Sequence, residues 1–591
     1  MPAPSLKPQT GPNQAFFASR LAVILAGAVL ALAALAAYAN SFAGPFLFDD
    51  LPSIVDNPTL RHLWPPGDVL ATPHGAGQTV TGRPVLNLSL ALNYSLGGEA
   101  VAGYHAVNLA IHVAAGLLLL GLVRRTLLLP LWQGRFAAVA LPLALSVALL
   151  WTVHPLQTES VTYVVQRAES LMGLWYLLTL YAFLRGATAA PASGGVWFAL
   201  ATAACLLGMG TKEVMATAPL MVLLYDRTFV TGSFHAAWRA RGRWYLALAG
   251  TWIVLAFLVA DAGGRGGSAG IGRGLSAWTY LLTQCRAVTL YLRLSFWPHP
   301  LVADYGIERV ETLAAVATQA LLLVLLAVAT LVAVWRRPVL GFLGCWFFAI
   351  LAPSSSVIPV ATQTIAEHRM YLPLAAVVTL AVLGLHAWIG PRSLAVFLLA
   401  ALGLGAMTVR RNAVYHSALS FWSDAATKCP GNARAHTALG TLLATGNRLP
   451  EAATELEAAV RLDPTSVEAL NNLANVLAAT GRFSEAIPIY GRVLELTPRE
   501  ANPHYNLGNL LAQLGRMNEA LDHYQAAARF APGDADVQYR RALTLVQLGR
   551  FTEAIGPCEQ AVRLRPDLPG ARQNLEAIRK LAAQQAAPPS R

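Results

Sequence analysis

The sequence predicts an all-α protein: a polytopic helical membrane domain of about eleven spans followed by an α-solenoid. Three observations predict it. The 591 residues have a mean hydropathy of +0.49, with 55% hydrophobic and only 13% charged residues, about half the charge usage of an ordinary soluble domain. Apolar runs long enough to cross a bilayer recur through the first 411 residues. Beyond them, prolines stand at 430, 464, 498, 532 and 566, a constant step of 34. Disorder is excluded, because disordered chains are poor in apolar residues.

Charge divides the chain in the same way. Residues 430–591 hold 16 of the 31 acidic and 17 of the 43 basic residues, so they are nearly neutral. The rest of the +12 net charge lies between apolar runs of the first part. Basic residues placed so are orientation signals, and no nucleic-acid partner is expected. The five cysteines, Cys205, Cys285, Cys345, Cys429 and Cys558, have neither metal-ligand spacing nor the density of a disulfide framework.

The expected spans fall near 21–39, 106–123, 136–153, 170–184, 195–210, 214–225, 244–260, 313–335, 339–352, 371–389 and 393–409. The first reads as a retained anchor, because its apolar run exceeds that of a cleaved signal. A further run, 278–297, contains Arg286 and Arg293 and reads as an interfacial or re-entrant helix. With the N-terminus inside, the inner loops collect Arg124, Arg125, Arg135, Arg185, Arg227, Arg239, Arg241, Arg243, Arg336, Arg337 and Arg392, as the positive-inside rule requires. Arg410 and Arg411 run against that pattern. The outer segments then hold Asp49, Asp50, Asp56, His154, Glu159, Arg167, Glu169, Lys212, Glu213, Asp304, Glu367, His368 and Arg369. Several border apolar runs, where an unpaired charge is costly.

The domain reading is a polytopic membrane domain at 1–411, a connecting helix or half repeat at 412–430, a repeat array at 431–566, and a capping helix and tail at 567–591. In register with the prolines stand Glu451, Glu485, Glu519 and Glu553, each followed by alanine. The turn position reads Asn447, Gly481, Gly515, Gly549; a small position reads Gly440, Ala474, Gly508, Ala542; a bulky one reads Trp422, Leu456, Tyr490, Tyr524, Cys558. This pattern resembles the tetratricopeptide repeat (TPR). Small residues let paired helices approach, Gly or Asn closes the turn between them, and Pro follows the second helix. Such units stack into a superhelix with a concave groove that binds extended peptides or helices. A protein or peptide partner is therefore expected, with Asn471, Asn472, Asn475, Asn506 and Asn509 as groove-facing candidates.

Chemistry is expected on the outer face. Asp49 and Asp50 follow the first span by a few residues. Adjacent carboxylates beside apolar chain repel each other, which suits a general base or a site for a cation. In the run from His154 to Glu169, a continuous helix would place Glu159, Tyr163, Gln166 and Arg167 on one face, and Arg167 offers planar recognition of phosphate. Lys212 and Glu213 form a further charged pair. Glu367, His368 and Arg369 open a span together with Tyr371, and Arg369 near a helix N-terminus suits phosphate binding.

The Asp pair, the His-Pro-x-Gln-Thr-Glu and Arg-x-Glu segments at 154–169, Lys212-Glu213, the Glu-His-Arg-x-Tyr-Leu-Pro segment at 367–373 and the C-terminal repeats together resemble the transmembrane-and-TPR O-mannosyltransferases, of the GT-C glycosyltransferase class. The resemblance implies a sugar donor carried on a polyprenyl phosphate, used on the extracytoplasmic side. It implies Asp49 or Asp50 as the catalytic base, and Arg369, His368, Arg167 and Lys212 as groups around the donor phosphate. His154, Glu159, Glu169, Glu213, Glu367 and Tyr371 are supporting residues. A divalent metal joining the carboxylates stays open. The Ala-, Gly- and Arg-rich composition with few lysines points to a bacterial inner membrane, with the repeats and outer loops on its periplasmic side. The alternatives are a lipid-linked oligosaccharide ligase or polymerase, and a membrane-anchored scaffold without chemistry.

Overall fold

A computed structural model describes residues 19–73, 78–263, 275–356, 359–360 and 362–586. The last five residues of the expected capping helix and tail at 567–591 therefore lie outside the described residues, as do the first 18 positions of the membrane domain. The chain divides into two compact units, Met1–Cys429 and Pro430–Arg591.

The longer helices of the first unit are α1 (Arg20–Tyr38), α2 (Pro84–Gly97), α3 (Val101–Leu127), α4 (Ala140–Thr152), α5 (Arg167–Thr188), α6 (Pro191–Met209), α7 (Ala218–Tyr225), α8 (Phe234–Asp261), α9 (Ala277–Phe296), α10 (Ala317–Arg336), α11 (Pro338–Leu351), α12 (Pro373–Ile389), α13 (Ser393–Asn412) and α14 (Ala418–Lys428). Proline at the first helical position, where no amide bond is lost, starts α2, α6, α11 and α12.

Among the described residues, five helical stretches are long and apolar enough to cross a membrane: Arg20–Ala43, Val101–Leu127, Phe234–Asp261, Leu313–Arg336 and Pro373–His416. A sixth counts if α4 and the turns at Pro155–Thr162, bent by 54°, make one span. Two of the expected spans, 371–389 and 393–409, lie within the single stretch Pro373–His416, where the turn Gly390–Arg392 separates α12 from α13. Other expected runs fall on shorter apolar helices, Ser193–Met209 and Pro338–Leu351. Length separates the two groups, since a 14-residue helix such as α11 rises only about 21 Å.

One large apolar core joins α1, α3 to α9 and α11 to α13, and includes Trp151, Tyr176, Phe183 and Tyr371. Close approaches fix its geometry. A Cβ added at Gly173 would stand 2.4 Å from Cε1 of Tyr371. The Tyr371 hydroxyl bonds Nδ1 of His112 at 2.9 Å, and its carbonyl accepts the indole N–H of Trp151 at 2.7 Å. Tyr371 is thus a packing hub beneath the site.

The second unit is four helix pairs and a last helix: α15 (Ala433–Thr445) with α16 (Leu449–Leu462), α17 (Val467–Ala479) with α18 (Phe483–Leu496), α19 (Ala501–Gln513) with α20 (Met517–Phe530), α21 (Ala535–Gln547) with α22 (Phe551–Leu564), then α23 (Ala571–Ala586). Each 34-residue signal has its physical counterpart. Asn447, Gly481, Gly515 and Gly549 all have positive φ, between 58° and 77°, which closes each inter-helix turn. The small position permits contact: a Cβ at Gly440 would stand 2.6 Å from Leu456, and one at Gly508 2.9 Å from Tyr524. The repeated glutamate pairs with the arginine three residues before it in every unit, as Arg448–Glu451, Arg482–Glu485, Arg516–Glu519 and Arg550–Glu553. The groove asparagines already bond within the array: Asn475 and Asn509 accept the hydroxyls of Tyr490 and Tyr524, and Asn472 donates to Thr441 at 2.9 Å.

Candidate active site

Five predicted residues line one polar cavity of about 110 Å³: Asp49, Lys212, Glu213, His368 and Arg369, with Arg83 and Gln166 beside them. They come from segments next to the ends of α1, α2, α5, α6 and α12. Chain positions more than 300 residues apart thus meet at one end of the apolar bundle.

The two aspartates divide. Asp50 is 1% exposed and has both oxygens occupied, Oδ2 by the Leu47 amide at 2.9 Å and Oδ1 by the Val165 amide at 2.7 Å. Burial pushes its carboxyl up to about 8, against the pull of those two amides. It ties the first outer segment to the 163–166 turn and leaves no edge for a substrate hydroxyl. Asp49 is half-buried and faces the cavity, while its own amide donates to the Tyr163 hydroxyl at 2.8 Å.

The continuous helix considered for the run from 154 to 169 does not form. A short helix, Thr158–Thr162, stops at Tyr163, which is extended (φ −80°, ψ 112°), and a 3₁₀ turn, Val164–Gln166, precedes α5. The β-branched run Val161, Thr162, Val164, Val165 accounts for the break, since such side chains fit extended backbone better than a helix. Glu159, Tyr163, Gln166 and Arg167 therefore share no face. Glu159 accepts from the His368 amide at 2.9 Å and from its ring Nδ1 at 2.7 Å. Arg167 is fully buried away from the cavity lining, held by Oδ1 of Asn108 at 2.6 Å and by the carbonyls of Ser89 and Tyr104, each at 3.1 Å. So enclosed, Arg167 bonds protein oxygens and is not among the residues that line the cavity.

The other supporting residues hold the walls. His154 is buried with both ring nitrogens engaged, Nε2 with the Ser295 carbonyl and Nδ1 with the Leu156 amide, each at 3.2 Å. Glu169 forms a buried ion pair with Lys212. Glu213 pairs with Arg83 at 3.3 Å. Glu367 accepts from the Val302 amide at 2.6 Å and the Tyr305 hydroxyl at 2.9 Å. Arg369 binds back to the carbonyls of Thr364 at 3.0 Å and Gln363 at 2.5 Å, which fixes the segment that forms one rim.

The cavity is cationic on balance, with Arg83, Lys212 and Arg369 against Asp49 and Glu213. His368 adds no charge. Burial, then the Lys212 cation, holds its ring well below the usual histidine range, so it is a neutral ring with Nδ1–H directed at Glu159. The arrangement gathers positive charge in the same cavity as a half-buried carboxylate. Among the described residues no group of three or more His, Cys, Asp or Glu side chains is placed to hold a metal, and Arg83, Lys212 and Arg369 line the same cavity as Asp49. This donor set does not fit a divalent ion held by the protein alone.

Sequence reasoning missed Arg83. Its signal is positional: a cation directly before Pro84 at the start of α2, where the helix dipole disfavours positive charge.

Comparison with known proteins adds three findings. A family profile described as Tetratricopeptide repeat matches residues 471–535 and 505–569, and one described as TPR repeat matches 440–481. "Protein O-mannosyl-transferase Tmtc2" of Drosophila melanogaster is 31% identical over 287 residues, 46% of this chain and 29% of that protein. "Protein O-mannosyl-transferase TMTC4" of Homo sapiens is 31% identical over 166 residues, 27% of this chain and 22% of that protein. The chain thus spans less than a third of the length of these relatives. Among solved structures, "YrrB: a TPR protein with an unusual peptide-binding site" is 23% identical, covering 29% of this chain and 89% of that one with a TM-score of 0.26.

Proposed function

We propose that this chain, which resembles the transmembrane-and-TPR protein O-mannosyl-transferases and ends in a tetratricopeptide array, is an integral-membrane glycosyltransferase. It moves a sugar from a polyprenyl phosphate to a hydroxyl of a protein acceptor. The observation that carries the reading is the cavity in which the Asp49 carboxylate faces Arg369, Lys212 and Arg83 at the end of an apolar helical bundle.

The chemistry follows from those groups. As the acceptor oxygen attacks the anomeric carbon, the new C–O bond forms, the bond from that carbon to the phosphate oxygen breaks, and the hydroxyl proton passes to Asp49. Negative charge develops on the leaving lipid phosphate. Arg369 and Lys212, fixed by carbonyls and by Glu169, neutralise it without rearrangement. A half-buried cavity beside apolar helices suits a lipid-borne phosphate, whose tail stays in the bilayer while its head enters the polar end. His368 shapes the wall as a neutral ring. The array binds the acceptor protein or a partner that delivers it. The setting is the extracytoplasmic face of a bacterial inner membrane.

The test is transfer by the purified full chain from radiolabelled polyprenyl-phosphate sugars to candidate acceptor proteins, with wild type beside Asp49→Asn and Arg369→Ala. Transfer by wild type that both substitutions abolish, at unchanged membrane expression, is the expected result. Equal transfer by wild type and Asp49→Asn overturns the reading.

A further inference from the structure

The bulky position of each full repeat packs within its own helix pair, as Leu456 does against Gly440 and Tyr524 against Gly508. Trp422 holds the same register position in the half repeat, yet α14 belongs to the first unit. Its ring meets Phe48 edge-on, at 5.1 Å and 81°. Phe48 directly precedes Asp49 and has φ +37°, a left-handed conformation that non-glycine residues keep only when neighbours enforce it. The adjacent Phe421 packs on Tyr163 at 6.1 Å and Tyr415 at 5.6 Å. Tyr163 in turn accepts the Asp49 amide. Aromatic residues of α14 therefore seat the backbone that carries the base.

Two turns of the same helix reach the opposite wall. Asp424 accepts from Arg411 at 3.0 Å and from the Ala303 amide at 3.2 Å, and pairs with Lys428. Arg411 and Lys428 both donate to the Leu301 carbonyl, at 3.1 and 2.7 Å. Arg411 also approaches Glu367 at 3.5 Å, and Glu367 grips the same 301–305 segment through Val302 and Tyr305. Glu367 is the first residue of the turn Glu367–Met370 that presents His368 and Arg369 to the cavity. Glu367 and Arg411 are buried, at 1% and 6% exposure, while Asp424 is half-buried and Lys428 exposed, so truncating a partner of the buried pair leaves it unpaired rather than resolvated.

We infer that α14 sets the spacing between the base and the cationic wall, and that Trp422 and Asp424 are positioning residues for transfer; this rests on the reading of Asp49 and Arg369 given above. Both walls of the cavity are fastened to one helix of eleven residues. A shift of α14 moves Asp49 and Arg369 relative to each other without touching either.

The experiment compares full-length Trp422→Leu, Asp424→Asn and Lys428→Met with wild type, and Trp422→Phe as the conservative rescue. Turnover of the polyprenyl-phosphate sugar is read as kcat and KM, with the thermal midpoint alongside. Separately, nitroxide labels at Leu51→Cys and Thr362→Cys, in a chain whose five native cysteines are serine, report the width of the cavity by dipolar broadening. Expected are a roughly 10-fold or greater fall in kcat, a donor KM changed by less than about threefold, a broader label distribution, and near-wild-type behaviour of Trp422→Phe. Should Asp424→Asn fail to fold, Lys428→Met and Trp422→Leu decide. Folded variants with unchanged kcat and label spectrum overturn the inference. If wild type transfers nothing, the glycosyltransferase reading falls while the label spectra still decide whether α14 sets the cavity width.

Discussion

Replacing each of the two adjacent aspartates by asparagine separates chemistry from architecture. In Asp50→Asn the amide oxygen can keep one of the two backbone donors, while the new NH₂ faces the other. The loss is one backbone hydrogen bond from Leu47 or Val165, with a buried N–H left unpaired, or about 1–3 kcal/mol. The effect on stability is a midpoint lowered by a few degrees, measured by thermal unfolding in detergent, with turnover falling only as far as the loop loosens. In Asp49→Asn the half-exposed side chain keeps its shape and the Tyr163 bond to the backbone amide survives. Loss of a general base lowers kcat by about 10²–10⁴-fold. An active Asp49→Asn beside a stable but inactive Asp50→Asn would refute the assignment, because it would put the chemistry on a carboxylate whose two oxygens are already taken.

Other substitutions test the surroundings. Arg369→Lys removes a planar group that reaches two carbonyls at once and should raise the donor KM by about tenfold, measured in the same transfer assay. Gly173→Ala drives a methyl into the Tyr371 ring; the expected cost is about 1–3 kcal/mol, read as a lowered midpoint with loss of the His112 contact. In the array, Arg516→Ala removes one exposed i,i+3 pair and should leave unfolding of the chain unchanged. By contrast Gly508→Val, against Tyr524, should lower the cooperativity of array unfolding followed by circular dichroism.

How much of this the sequence disclosed depends on the range of the interaction. The array was fully legible, because each 34-residue signal acts within one helix pair: positive φ at Asn447 and Gly481, and contact at Gly440 and Gly508. The ionisable groups bordering apolar runs were legible as a set, and five of them do line one cavity. Their individual roles were not. Asp49 and Asp50 are chemically alike and neighbours, and the amide of Val165, 115 residues away, separates them. The face proposed for Glu159 and Arg167 rested on a helix that Tyr163 interrupts, with no glycine or proline to announce it. Arg83 escaped because a basic residue in a loop carries no periodic signal.

Arg167 has a consequence of its own. It is an ion dissolved in peptide and amide dipoles, with three oxygen acceptors and the Tyr104 ring, and no acid stands within ion-pair distance of it among the described residues. Mobile counterions cannot enter to blunt its field as they do for a charge in water. The pull that this fixed charge exerts on its surroundings therefore persists in concentrated salt, where attraction due to exposed cations fades.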